Sequence, residues 1–109
     1  MQGFQLIFFT MQGEKHGGLS VGEWLLKQSR ELGVPGATMN ASQAGYGTDG
    51  HFHSAHFFEL AEQPLEVMMV VTEDECDLLF SRIEAEGIKL LYSKVPVEFG
   101  VTGSTDSGN

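Results

Sequence analysis

"LEVMMVVTEDECDLLFSRI", residues 65–83, decides how this chain folds. Leu65 to Val71 is a run of β-formers and reads as a strand. Thr72 with Glu75 three residues later is a capping box, in which each side chain accepts from the other residue's backbone amide. Val71 and Cys76 stand at the staple positions on either side of it. Cys76, Leu79, Phe80 and Ile83 then recur at helical spacing and mark a buried side. Gly87-Ile88 closes the helix with a residue that tolerates the left-handed conformation.

The same grammar occurs earlier in the chain. "FQLIFF" (Phe4 to Phe9) is a strand, and Ser20 with Glu23 is a second capping box, stapled by Leu19 and Trp24. Val21, Trp24, Leu25, Gln28 and Leu32 keep helical spacing, and Gly33-Val34-Pro35 ends it. "ATMNASQA" (Ala37 to Ala44) reads as a further strand, and "KLLYSKVPVEF" (Lys89 to Phe99) as the last one, with Pro96 marking an edge, an end or a bulge. Strand–helix–strand twice is the pattern of an α+β ferredoxin-like split βαβ sandwich, βαββαβ. Residues 1–99 form one domain, and "GVTGSTDSGN" (residues 100–109) is expected to be a disordered tail.

Two helices cover one face of a four-stranded sheet. "LIFF" and "VMMVV" are apolar at consecutive positions, so both strand faces are apolar. The uncovered face calls for another copy of the chain around a symmetry axis. Alternation alone leaves open whether Met68 or Met69 faces the helices.

The chain has 109 residues and one cysteine, Cys76, which excludes an intrachain disulfide and fits a reducing compartment. No basic region precedes the first apolar run, and no run approaches membrane-spanning length, so the expected location is cytoplasmic. Fifteen acids against six Lys and Arg give a formal charge of −9, which argues against a nucleic-acid partner.

"GYGTDGHFHSAHFFEL" (residues 45–60) lies between the second and third strands of the pattern. Gly45, Gly47 and Gly50 match the spacing of a dinucleotide fingerprint, but no amphipathic helix follows to face a pyrophosphate. The glycines are read as turn formers in a mobile loop, with Asp49-Gly50 a hairpin tip. His51 and His53 point the same way in an extended segment and form a candidate metal pair, to which Glu59 or a second subunit would add ligands. Lys15 and His16 read as surface loop residues. There is no nucleophile elbow, P-loop, HExxH or paired-cysteine pattern, and no catalytic residue is assigned.

The order and spacing of His16-Gly17, "GVPGAT" (Gly33 to Thr38), "GYG" (Gly45 to Gly47) and His53-Ser54 ahead of "ELAEQPLEVMMVV" carry a resemblance. Over Phe4 to Phe99 the chain resembles the PII-like proteins of domain-of-unknown-function family 190. The resemblance implies a trimer related to PII signalling proteins, with an adenine nucleotide bound in clefts between subunits near the base of the long loop. By position Thr38, Gly45, Gly47, His53 and Ser54 would border such a cleft. It also implies that loop conformation governs docking onto a client transporter or enzyme. "EGIKLLYSKV" (residues 86–95) lacks the glycine- and lysine-rich phosphate loop of PII proper.

Three readings of function follow. The first is a non-enzymatic signalling protein that senses a small ligand. The second is a metal-binding sensor or tolerance protein using His51 and His53. The third is a small ferredoxin-like enzyme.

Overall fold

A computed structural model of the chain describes residues 1–41, 44–45, 53–54 and 63–103. In chain order the elements are β1 (Gln2–Met11), β2 (Lys15–His16), β3 (Leu19–Ser20), α1 (Val21–Glu31), β4 (Ala37–Ala41), β5 (Ala44–Gly45), β6 (His53–Ser54), β7 (Pro64–Thr72), α2 (Glu73–Ala85) and β8 (Leu91–Glu98). A four-stranded sheet runs β4-β7-β1-β8, with every neighbouring pair antiparallel. Two short hairpins, β2-β3 and β5-β6, stand outside it. This is the ferredoxin-like arrangement expected from the repeated strand–helix–strand pattern, with the β2-β3 and β5-β6 hairpins as additions that the pattern does not contain.

Both helices start where their capping boxes place them. The Glu23 amide donates to Ser20 Oγ at 3.1 Å and the Ser20 amide donates back to Glu23 Oε1 at 3.3 Å. In α2 the Thr72 amide donates to Glu75 Oε1 at 2.9 Å and the Glu75 amide to Thr72 Oγ1 at 3.2 Å. Each box satisfies amides that the first helical turn leaves without an intrahelical acceptor. The two helices also stop alike. Gly33 (φ 81°) and Gly87 (φ 69°) take the left-handed conformation. Past them, Val34 N–H reaches Ser29 O at 3.0 Å and Ile88 N–H reaches Ile83 O at 3.3 Å, which closes a Schellman turn in each helix.

Leu6 and Phe8 of β1 and Val67, Met69 and Val71 of β7 point at the helices and are almost fully buried. Val21, Trp24 and Leu25 of α1 and Cys76, Leu79 and Ile83 of α2 meet them in one cluster. Each fully buried aliphatic or aromatic side chain is worth about 1.5–3 kcal/mol of transfer free energy, so this layer is the main source of stability. The other face of the sheet has no helix over it. The register pairs Ile7 with Met68 and Gln5 with Val70, and it places Ile7 opposite Ser93 and Phe9 opposite Leu91. Met68, Leu91 and Val95 on this side are 36%, 46% and 51% exposed. β8 forms one edge, and Pro96, which cannot donate to a ladder, sits in it opposite Phe4.

Gly3 shows how closely the far end of the sheet packs. A Cβ there would collide with the Val71 carbonyl oxygen and come within 2.8 Å of the Phe99 ring. Phe99 is held in turn by Met1, whose ammonium donates to Phe99 O at 2.9 Å while the Phe99 amide donates to Met1 O at 2.8 Å. Beyond β8 the chain makes a turn with Gly103 at φ 80°. The rest of the expected disordered tail, residues 104–109, lies outside the described residues.

Candidate functional site

The strand pairing gathers three connections at one end of the molecule. Met11 at the end of β1 pairs with Pro64 at the start of β7, and Leu65 pairs with Ala41 at the end of β4. Phe9 pairs with Leu91 at the start of β8. The connection from β1 to α1, the one from β4 to β7 and the one from α2 to β8 therefore meet at the same pole. The Gln12 amide donates to Gln63 O at 2.8 Å and joins the first of these to the strand returning from the second.

The residues expected at a ligand cleft are placed as follows. Thr38 lies on edge strand β4 opposite Met68, exposed on the face away from the helices. Gly45 pairs with His53 and Ala44 with Ser54 in the antiparallel β5-β6 hairpin, so the chain doubles back over this stretch. Gly47 and His51 lie outside the described residues, as does the expected Asp49-Gly50 tip. Gly45 and His53 are thus brought face to face, while Thr38 belongs to a separate sheet. Among the described residues, no group of three or more His, Cys, Asp and Glu side chains is placed to hold a metal ion.

His16, expected as a surface loop residue, is partly exposed on β2 and makes two tertiary contacts. Its Nε2 lies 2.7 Å from Glu86 Oε1, and its ring meets that of Trp24 edge-on with centroids 5.6 Å apart. The hairpin β2-β3 is thereby fastened to the C-terminal end of α2 and to the flank of α1. Between the two helices, Arg82 Nη1 of α2 donates to Gln28 Oε1 and Glu31 Oε1 of α1 at 2.8 and 3.1 Å. Gln28, the polar member of the buried stripe of α1, is accounted for by this bond. Nothing local in the sequence signals the His16 contact, because its partner is 70 residues away.

Among the described residues, two groups have shifted acidity. The hydrogen bonds from Ser20 hold the Glu23 carboxyl below its ordinary value. Burial pushes the Cys76 thiol up, with nearby Lys94 opposing it. A buried thiol kept neutral is a packing group and not a nucleophile. Lys94 also sits 4.2 Å from the Phe4 ring centroid, so the cation is shared between an aromatic face and the flank of α2.

Solved structures share this architecture at low identity. A protein from Thermus thermophilus described as a PII-like signaling protein superposes with a TM-score of 0.61 at 14% identity, covering 89% of this chain and 90% of its own. CPII, a nitrogen regulatory PII-like protein from Thiomonas intermedia K12, superposes in its form bound to ADP, AMP and bicarbonate with a TM-score of 0.64. That match has 16% identity and covers 92% of this chain and 97% of CPII. The apo form of CPII gives 0.51 at 15% identity, over 89% and 92% of the two chains. No curated protein sequence matches the chain. The fold is thus the PII-like form of the ferredoxin-like sandwich. The model of one family, DUF190, described as an uncharacterized ACR, matches residues 3–92. Spanning most of the chain, with both helices, β4, β7 and nearly all of β1, that match makes the chain a member of the DUF190 family.

Proposed function

We propose that this protein is a non-enzymatic, cytoplasmic regulator of the PII-like type. Three copies assemble around the open face of the sheet and sense a small ligand, an adenine nucleotide, in the clefts between them. The observation that carries this reading is the uncovered, partly apolar face beside a pole from which a long connection leaves. A monomer would leave Met68, Leu91 and Val95 in water, and a second copy of the same face is the simplest cover for them. Thr38, Gly45, Gly47, His53 and Ser54 border the cleft, and the loop beside it passes the state of the site to a client transporter or enzyme. CPII, of the same fold, is described as bound to ADP and AMP, which makes those nucleotides the first ligands to try.

The deciding experiment combines native mass spectrometry with isothermal titration calorimetry of ADP, AMP and ATP. A threefold mass and saturable nucleotide binding that weakens on changing His53→Ala support the reading. A monomer at micromolar concentration overturns the assembly. A trimer that binds no adenine nucleotide and retains a transition metal on purification replaces the ligand with the metal reading of His51 and His53.

A further inference from the structure

His16 is the contact through which one connection at the pole touches both helices. It stands on β2, shares a hydrogen bond with Glu86 at 2.7 Å, and packs edge-on against Trp24. Glu86 is the C-cap of α2. An acid there meets the negative end of the helix, and a cation beside it relieves both. The charges around His16 narrow the choice of partner. On its own hairpin it is flanked by Glu14 and Lys15. On α1, Glu23 is bonded to Ser20 and lies near Lys15, and Glu31 is paired with Arg82 of α2. Lys27 and Arg30 complete the charges of α1, and Glu84 and Lys89 those around the end of α2. Glu86 is the acid bonded to the imidazole.

We propose that His16 and Glu86 form a proton-operated latch: with His16 protonated it clamps the β2-β3 hairpin to the end of α2, and deprotonation loosens it. An imidazolium–carboxylate bond is charge-assisted, whereas a neutral imidazole contributes only an ordinary hydrogen bond. The hairpin follows β1 directly, and the Gln12–Gln63 bond adjoins it. This inference needs no ligand and stands whether or not a nucleotide binds.

The chain has a single tryptophan, Trp24, in contact with the His16 ring, which gives a local optical probe. The test follows the full-length protein from about pH 5.5 to about pH 8, where ordinary carboxylates stay charged and imidazoles change charge. Two readouts are taken: Trp24 fluorescence, and amide exchange of residues 14–20 corrected for intrinsic rates. The hairpin should open about two- to fivefold more often at the upper end, the scale of a partly exposed charge pair. His16→Gln should abolish both pH responses. Glu86→Gln should flatten the exchange response while Trp24 fluorescence still changes with pH, because the His16 ring stays beside it. Hairpin exchange that does not change with pH in the native protein overturns the latch, and so does an exchange response that survives His16→Gln or Glu86→Gln undiminished.

Discussion

Met68 and Met69 are adjacent in sequence and lie on opposite faces of the sheet. Met69 is 1% exposed beneath the helices, and Met68, 36% exposed, sits on the open face with its sulfur 3.3 Å from Gln5 Nε2. The two residues therefore test different things. Met68→Glu puts a charge where assembly would bury it without a partner, and it should shift the protein toward monomer in sedimentation while leaving the fold intact. Met69→Ala opens a cavity in the core and should cost about 2–5 kcal/mol in chemical denaturation. A Met68→Glu protein that keeps its native mass would remove the open face from the interface.

Gly3→Ala should be among the most destabilising small substitutions in the chain. The added methyl meets the Val71 carbonyl and the Phe99 ring, and a backbone oxygen cannot move aside as a side chain can. Thermal melting should show a clear fall in Tm. Gly22→Ala is the control, because the atom it approaches is the Met39 sulfur at 2.6 Å, on a flexible side chain, and its penalty should be smaller.

The capping boxes should each contribute measurably. Thr72→Ala or Ser20→Ala should cost about 1 kcal/mol, the usual value of an N-cap hydroxyl. The Ser20 box also has a pH signature. Its hydrogen bonds lower the Glu23 carboxyl in the folded state, so the contribution is complete above the unfolded carboxyl value and is lost as pH falls through the folded one. Denaturation curves in acid should show this loss in the native protein, and Glu23→Gln should reduce it.

Cys76 should resist thiol reagents at neutral pH. It is 1% exposed, and burial raises its thiol. A group whose folded pKa is raised contributes stability that is present below its unfolded value and lost as pH rises through the folded one. The stability curve should therefore decline at alkaline pH, and Cys76→Ala should remove that part of the decline. Labelling by a small maleimide should be slow in buffer and fast in denaturant. Rapid labelling of the folded protein would contradict the packing around α2.

Features that depend on neighbours along the chain can be read from the residues alone. Ser20 with Glu23 and Thr72 with Glu75 place both helix starts, and Gly33 and Gly87 place both ends, because caps act within a few residues. The repeated unit then yields the fold, since two strand–helix–strand units on one sheet leave few topologies. The family resemblance was legible too, from motif order over nearly the same residues that match DUF190. Register and contacts between distant segments emerge only on folding. An unbroken apolar run such as "VMMVV" carries no alternation to say which of Met68 and Met69 is inside; pairing with β1 and the helices above settles it. His16 reads as an ordinary loop histidine until folding carries α2 to it, because the free energy of that contact belongs to a pair 70 residues apart.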